Sequence, residues 1–169
     1  MRGYVYLAGD FDHDGNVVKK IQEWNKNPLK DLKFKDAHDI TQARDESLNC
    51  SIKNSLARRM NESHTFVLIV GENTKTVCAG ACSYCKSYFN NRCYHGYSLN
   101  EESYIEFECR KALQDGLRIV VIHNSSQIKR ENCPQIIANI GKHITAYYYI
   151  GNDCYWNYNE IRNLIMGND

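Results

Sequence analysis

The sequence predicts an α/β domain in which helices cover both faces of a five-stranded parallel sheet. Three observations predict it. Short apolar, β-branched runs alternate with helix-length segments in the order βαβαβ, an insertion, then αβαβα. Two of those runs, Thr65-Phe66-Val67-Leu68-Ile69-Val70 and Leu117 to Ile122, carry almost no polar residue, as strands buried on both faces do. Gly71 and Gly116 punctuate the pattern where a strand ends and where a helix must stop.

The elements follow in order. Tyr4-Val5-Tyr6-Leu7-Ala8 reads as the first strand, and Gly9 to Gly15, with three Asp residues, as a turn-rich loop. A helix is expected from about Asn16 to Asn25, with Val17, Val18, Ile21 and Trp24 on its buried side. Asn27-Pro28 breaks it. Leu32-Lys33-Phe34-Lys35 alternates and suits an edge strand, its lysines discouraging edge pairing. Asp36 to Asn49 is a polar loop containing Arg44, and Ser51 to Asn61 a helix with Ile52, Leu56 and Met60 at four-residue spacing. After the third strand, residues 72–97 form a Cys- and Tyr-rich insertion.

Ser98 to Ile122 is the best-marked stretch. Ser98-x-x-Glu101 has capping-box spacing, so a helix is expected to begin just after Ser98. Gly116 can end it, and the fourth strand follows. A weaker helix is expected over Gln135 to Ile140, a tyrosine-rich strand over His143 to Ile150, and a helix over Tyr158 to Met166. Right-handed crossovers between five such strands give the flavodoxin-like order 2-1-3-4-5. We find no linker or repeat and expect one domain, residues 1–169.

Glu108 stands out in the long helix. At about 100° per residue, Tyr104, Ile105, Phe107, Cys109, Ala112 and Leu113 form one apolar arc. Glu108 falls near its middle, whereas Glu106, Arg110 and Gln114 fall on the wet side. A carboxylate facing a core is costly unless it is paired or lines a cavity. It is either a structural ion pair or a functional group. In parallel sheets ligands bind beyond the carboxyl ends of the strands, near the switch between strands one and three. That rule gathers the Gly9–Gly15 loop, the Asp36–Asn49 loop, the start of the insertion and His123-Asn124 around one site.

Composition narrows the function. With 21 basic and 20 acidic residues the formal charge is +1, which offers no electrostatic case for nucleic acid or a membrane surface. No segment resembles a signal peptide or reaches transmembrane length, so a cytoplasmic protein is expected. Eight cysteines in reducing cytosol read as thiols or metal ligands. Cys78-x3-Cys82-x2-Cys85 has the spacing of radical iron–sulfur enzymes, but the chain is too short for their barrel. With Cys93, or His95 as the alternative fourth ligand, these thiols could instead hold a structural zinc. The competing reading is a loop of free thiols. Cys50, Cys109 and Cys133 read as small buried residues.

Three stretches, YLAGDFDHDGNVVKKIQEW, FKDAHDITQARDESLNCSIKNSLARRMNESHTFVLIVGENT and YIEFECRKALQDGLRIVVIHN, carry a family resemblance over roughly Tyr4 to Tyr149. By them the chain resembles the TIR-like proteins of bacterial anti-phage defence, especially the TIR-like subunit of Thoeris systems. The resemblance implies a TIR-like fold and cleavage of the nicotinamide–ribose bond of NAD, with NAD as substrate. Glu108 then holds the position of the family's catalytic glutamate. Asp10, Phe11, Asp12 and Asn124 become candidate nucleotide contacts. The product nucleotide would act on an effector protein, and self-association is expected of such domains. The insertion departs from the family pattern of a short loop after strand three. Two alternatives stand beside this reading: a non-catalytic TIR-like sensor or interaction module, and a nucleoside-processing transferase suggested by YLAG.

Overall fold

The computed structural model describes residues 3–39 and 48–168. β1 (Tyr4–Ala8) leads into α1 (Phe11–Lys26), then β2 (Lys35–Asp36), α2 (Asn49–Asn61) and β3 (Ser63–Val70). The insertion contains the small hairpin of β4 (Tyr88–Phe89) and β5 (Arg92–Cys93). α3 (Tyr104–Gln114) and β6 (Arg118–His123) follow. The chain closes with β7 (Lys142–Thr145), a hairpin of β8 (Tyr147–Ile150) and β9 (Asp153–Trp156), and α4 (Tyr158–Met166).

The central sheet runs β2-β1-β3-β6-β7, and every neighbouring pair is parallel. This is the order that the alternation of elements predicts. Side chains alternate across it and divide the core into two layers. Tyr6, Ala8, Phe66, Leu68 and Val121 pack with Leu56 and Met60 of α2 and Ile105, Cys109 and Ala112 of α3. Val5, Leu7, Val67, Ile69 and Ile122 pack with Val17, Val18 and Ile21 of α1 and Ile161 and Ile165 of α4. Each fully buried aliphatic side chain contributes roughly 1.5–3 kcal/mol. No described helix is long and apolar enough to cross a membrane.

Several local expectations are corrected. α1 begins at Phe11, not Asn16, so Gly9–Gly15 is mostly its first turn. Asp10 is the N-cap, its Oδ1 accepting from the Asp12 N–H at 3.2 Å, and Asp12 and Asp14 complement the helix dipole. The edge strand starts later than expected, because Asn25 ties down the backbone of Phe34 from both sides. Of the expected Asp36–Asn49 loop, Asp36 ends β2, Ala37–Asp39 form a 3-10 turn, and residues 40–47, with Arg44, lie outside the described residues.

The capping box of α3 is Ser103 with Glu106, one register beyond Ser98 and Glu101. Glu101 instead accepts from the Ser83 hydroxyl at 2.5 Å and the Ser83 N–H at 3.2 Å. The expected helix over Gln135 to Ile140 is replaced by turns, with a 3-10 turn at Arg130–Asn132. Pro134 and Gly141, the latter at φ +82, bracket a segment too short to nucleate a helix. The expected strand His143 to Ile150 breaks at Ala146, whose N–H turns back to the His123 carbonyl at 2.7 Å.

The insertion leaves and rejoins the fold at a narrow neck. The Tyr104 N–H donates to the Ala79 carbonyl at 2.7 Å, and the Cys82 N–H to the Asn100 carbonyl at 2.9 Å. Asn49 at the start of α2 donates to the Ala81 carbonyl at 2.9 Å and accepts from the Tyr104 hydroxyl at 3.0 Å. A Cβ on Gly80, at φ +99, would stand 2.6 Å from Tyr104, so only glycine allows the strands of the neck this close.

Candidate active site

Glu108 is 7% exposed, on the face of α3 that packs into the sheet. Its phase is the one that the apolar arc predicts. Across from it, Tyr6 of β1 points into the same core layer and donates its hydroxyl to Glu108 Oε1. A buried tyrosine needs such a partner for its hydroxyl. Tyr6 stacks on Phe66 of β3 at 5.9 Å between ring centroids and meets the His38 ring at 5.8 Å. Phe11, 49% exposed at the start of α1, closes edge-on over His38 at 5.6 Å.

His38 is itself held. Its Nδ1 lies 2.8 Å from Asp36 Oδ1, which also accepts from the His38 N–H at 2.9 Å. Gln22 of α1 donates to Asp36 Oδ2 at 2.8 Å. Burial works against the Asp36 carboxylate, but the bonds from His38 and Gln22 hold it below its ordinary range. Four segments thus converge on Glu108: β1, the turn after β2, the start of α1, and α2 through the field of the buried Arg59.

Burial dominates the electrostatics of Glu108 and raises its pKa to about 7. The Tyr6 hydrogen bond and the positive fields of His38 and Arg59 pull the other way. The result is a carboxyl group poised between its two forms near neutral pH, as catalytic carboxyls often are. Burial and the facing Glu108 carboxylate raise the Tyr6 phenol well above its usual range, so it stays a donor.

The other expected contacts are distributed differently. Asp10 is engaged as the α1 cap and with His13 Nδ1 at 2.6 Å. Asp12 is exposed on the first turn. Phe11 reaches the Glu108 group through His38. Asn124, after β6, donates to Asp14 Oδ1 at 2.8 Å and to Asn16 Oδ1 at 3.2 Å. Asp14 is buried in α1, and burial raises its pKa against the opposing bonds from Asn124 and Thr74. A Cβ on Gly71 would meet Asp14 Oδ1 at 2.0 Å, so glycine there makes room for the carboxylate. Asn124 therefore belongs to a polar cluster with α1 rather than to the Glu108 group.

A cleft of about 290 Å³ opens between α2, the insertion and α3. Asn49, Lys53, Cys82, Cys85, Cys93 and Phe107 are among its lining, with Glu108 one residue behind Phe107 and outside that lining. Of the four thiols expected to bind zinc, three face this cleft. Cys78 is exposed, with its Sγ 3.4 Å from the Thr76 carbonyl. Among the described residues, the metal-ligating side chains whose donor atoms gather within 4.8 Å of one another are His123, Cys133 and His143.

Sequence reasoning missed Tyr6, His38, Arg59 and Asp14. Two signals were available. A tyrosine centred in an apolar strand needs a polar partner, and Asp14 precedes Val17 and Val18 by three and four residues, on one helical face.

Residues 6–78 match a family model described as the TIR-like domain of the Thoeris protein ThsB. No curated protein matches the chain. The matched segment runs from β1 through β3 to the first residues of the insertion, and Glu108 lies beyond it. It contains Tyr6, Asp10, Phe11, His38 and Arg59.

Proposed function

We propose, with a Thoeris-type TIR-like domain as the premise, that the chain consumes NAD in anti-phage defence. In this reading it cleaves the nicotinamide–ribose bond and yields nicotinamide and an ADP-ribose-type signal nucleotide. The supporting observation is one carboxyl group, Glu108, buried on the sheet face of α3 and oriented by Tyr6. As the glycosidic bond breaks, its electron pair leaves with nicotinamide and positive charge develops on the ribose. The Glu108 carboxylate stabilises that charge and accepts hydrogen bonds from ribose hydroxyls. Water, or a nucleophile of the substrate itself, then completes the bond to the ribose and releases a proton. Phe11, Asp10 and Asp12 are assigned as nucleotide contacts, and Asn124 steadies α1 through Asp14. The product nucleotide carries the signal to an effector protein. Glu108 is buried in the isolated chain, so turnover needs rearrangement around it, and self-association is the step we assign to that change. Within the insertion, Cys78, Cys82, Cys85 and Cys93 are assigned a structural zinc, for which Cys78 must swing towards the cleft.

One observation favours a second reading, a non-catalytic TIR-like interaction module. Glu108 is already bonded to Tyr6 and does not line the cleft. Mass spectrometry of products after incubation with NAD, with and without induced assembly, separates the two. Glu108→Gln should lower nicotinamide release on the order of 10²-fold or more. Glu106→Gln should be nearly neutral, since glutamine also completes a capping box. No release in either state supports the interaction module, and equal losses in both variants remove Glu108 from the catalytic role.

A further inference from the structure

We infer that His123, Cys133 and His143 form a zinc(II) site that staples the crossover between β6 and β7. The three residues stand at the end of β6, midway along the connection, and in β7. Their donor atoms lie within 4.8 Å of one another. A parallel pair needs a crossover, usually a helix. This one has a single 3-10 turn among its turns, so it lacks the hydrogen-bonded rod that would hold it on the sheet.

The donor set is the kind that zinc takes, two imidazoles and a thiol. His123 Nε2 and His143 Nδ1 are 3.0 Å apart. Two nitrogens bound to tetrahedral zinc at about 2.0–2.1 Å stand about 3.4 Å apart, so the pair needs to open by only a few tenths of an ångström. His143 Nε2 donates to the Ile140 carbonyl at 3.1 Å, the outer contact that orients a ligating histidine and leaves Nδ1 facing inward. His123 and Cys133 are buried, and the half-buried His143 is the member nearest solvent.

Without metal, one chain of bonds satisfies both rings. The Lys129 N–H donates to His123 Nδ1 at 3.3 Å, and His123 Nε2–H donates to His143 Nδ1. Zinc binding moves the His123 proton from Nε2 to Nδ1, gives up the long Lys129 bond, and releases the Cys133 thiol proton to solvent. The resulting thiolate offsets part of the dication's charge. Without metal, burial holds the Cys133 thiol protonated; Arg130 favours the thiolate but repels the dication, its guanidinium being held on the Ala138 carbonyl at 2.7 Å, and Glu131 acts the other way on both. A fourth position is left for water.

The test titrates chelator-treated full-length protein with cobalt(II), a coloured probe for zinc, and follows thiolate-to-cobalt absorption. Wild type, Cys133→Ser and His143→Gln are compared, each checked by circular dichroism in the metal-free state. Thiols of the insertion contribute equally to all three, so differences report this site. Wild type should bind one equivalent more than Cys133→Ser. His143→Gln should bind at that site at least about 10-fold more weakly. Zinc should displace the cobalt and raise the melting temperature of wild type more than that of either variant. Superimposable titrations for wild type and the folded His143→Gln protein would overturn the site, whatever Cys133→Ser does.

Discussion

Replacing Glu108 with glutamine should stabilise the folded protein at high pH while it removes activity. An unfolded glutamate releases its proton near 4.5, whereas Glu108 in the fold holds its proton to about 7. Between those values the folded state binds more protons than the unfolded state, so stability falls as pH rises through the window. At about 1.36 kcal/mol per pH unit the loss sums to about 3 kcal/mol. Glu108 is 7% exposed, so solvent screens little of it. Glutamine mimics the protonated acid, can still accept from the Tyr6 hydroxyl, and cannot ionise. Wild type and Glu108→Gln should therefore be about equally stable at pH 4, with the variant ahead by about 3 kcal/mol at pH 8. For a chain of this size that is roughly 6–12 °C in melting temperature. His123 works in the opposite sense. Burial, with His143 and Arg130, lowers its pKa to about 4, so its contribution is lost as pH falls below its unfolded value of 6.5. Both proteins share that term, and it cancels in the difference. Urea denaturation at half-unit pH steps gives the measurement. Parallel stability curves from pH 4 to 8 would refute the argument.

Three further outcomes are expected. Tyr6→Phe removes the hydrogen bond that holds the Glu108 pKa down. The upper end of the pH window over which stability is lost should move above pH 7, with an overall cost of about 1–3 kcal/mol; an upper end moved down contradicts the assignment. Gly71→Ala drives a methyl group into Asp14 Oδ1, which Asn124 holds in place, so thermal unfolding should show about 1–3 kcal/mol of destabilisation. An unchanged melting temperature would mean that Asp14 moves freely. Serine at Cys78, Cys82, Cys85 and Cys93 together should lower bound zinc by one equivalent, measured by elemental analysis of protein purified without chelator, and full retention removes those thiols as ligands.

The sheet was legible because its strands are covered on both faces. Phe66 to Val70 and Ile119 to Ile122 can only be central, and that fixes which elements must flank them. Glu108 was legible for a related reason, since helical phase is a property of neighbouring residues. Its partners were not. Tyr6, His38 and Arg59 come from separate segments and meet only once the sheet is ordered. Helix starts were harder still. Ser98-x-x-Glu101 and Ser103-x-x-Glu106 are equally good caps on paper, and contacts of Glu101 with Ser83 decide between them. Likewise Asp-rich Gly9 to Gly15 has turn composition, yet Asp10 as a cap makes helix of it.

The neck at Ala79–Cys82 and Asn100–Tyr104 has an architectural consequence. A chain that departs and returns at one clamped point exerts no leverage on what lies on either side. Its interior can lengthen, shorten or change sequence while α3 keeps its position, because Tyr104 is fixed to Ala79 and Asn49 whatever happens beyond them. Closing a longer loop over the same neck costs only about 0.6 kcal/mol per doubling of length. Apart from the proposed thiol ligands Cys85 and Cys93, residues 84–99 thus form an exchangeable appendage on the rim of the cleft, where new recognition surfaces can be tried without disturbing the carboxylate behind them.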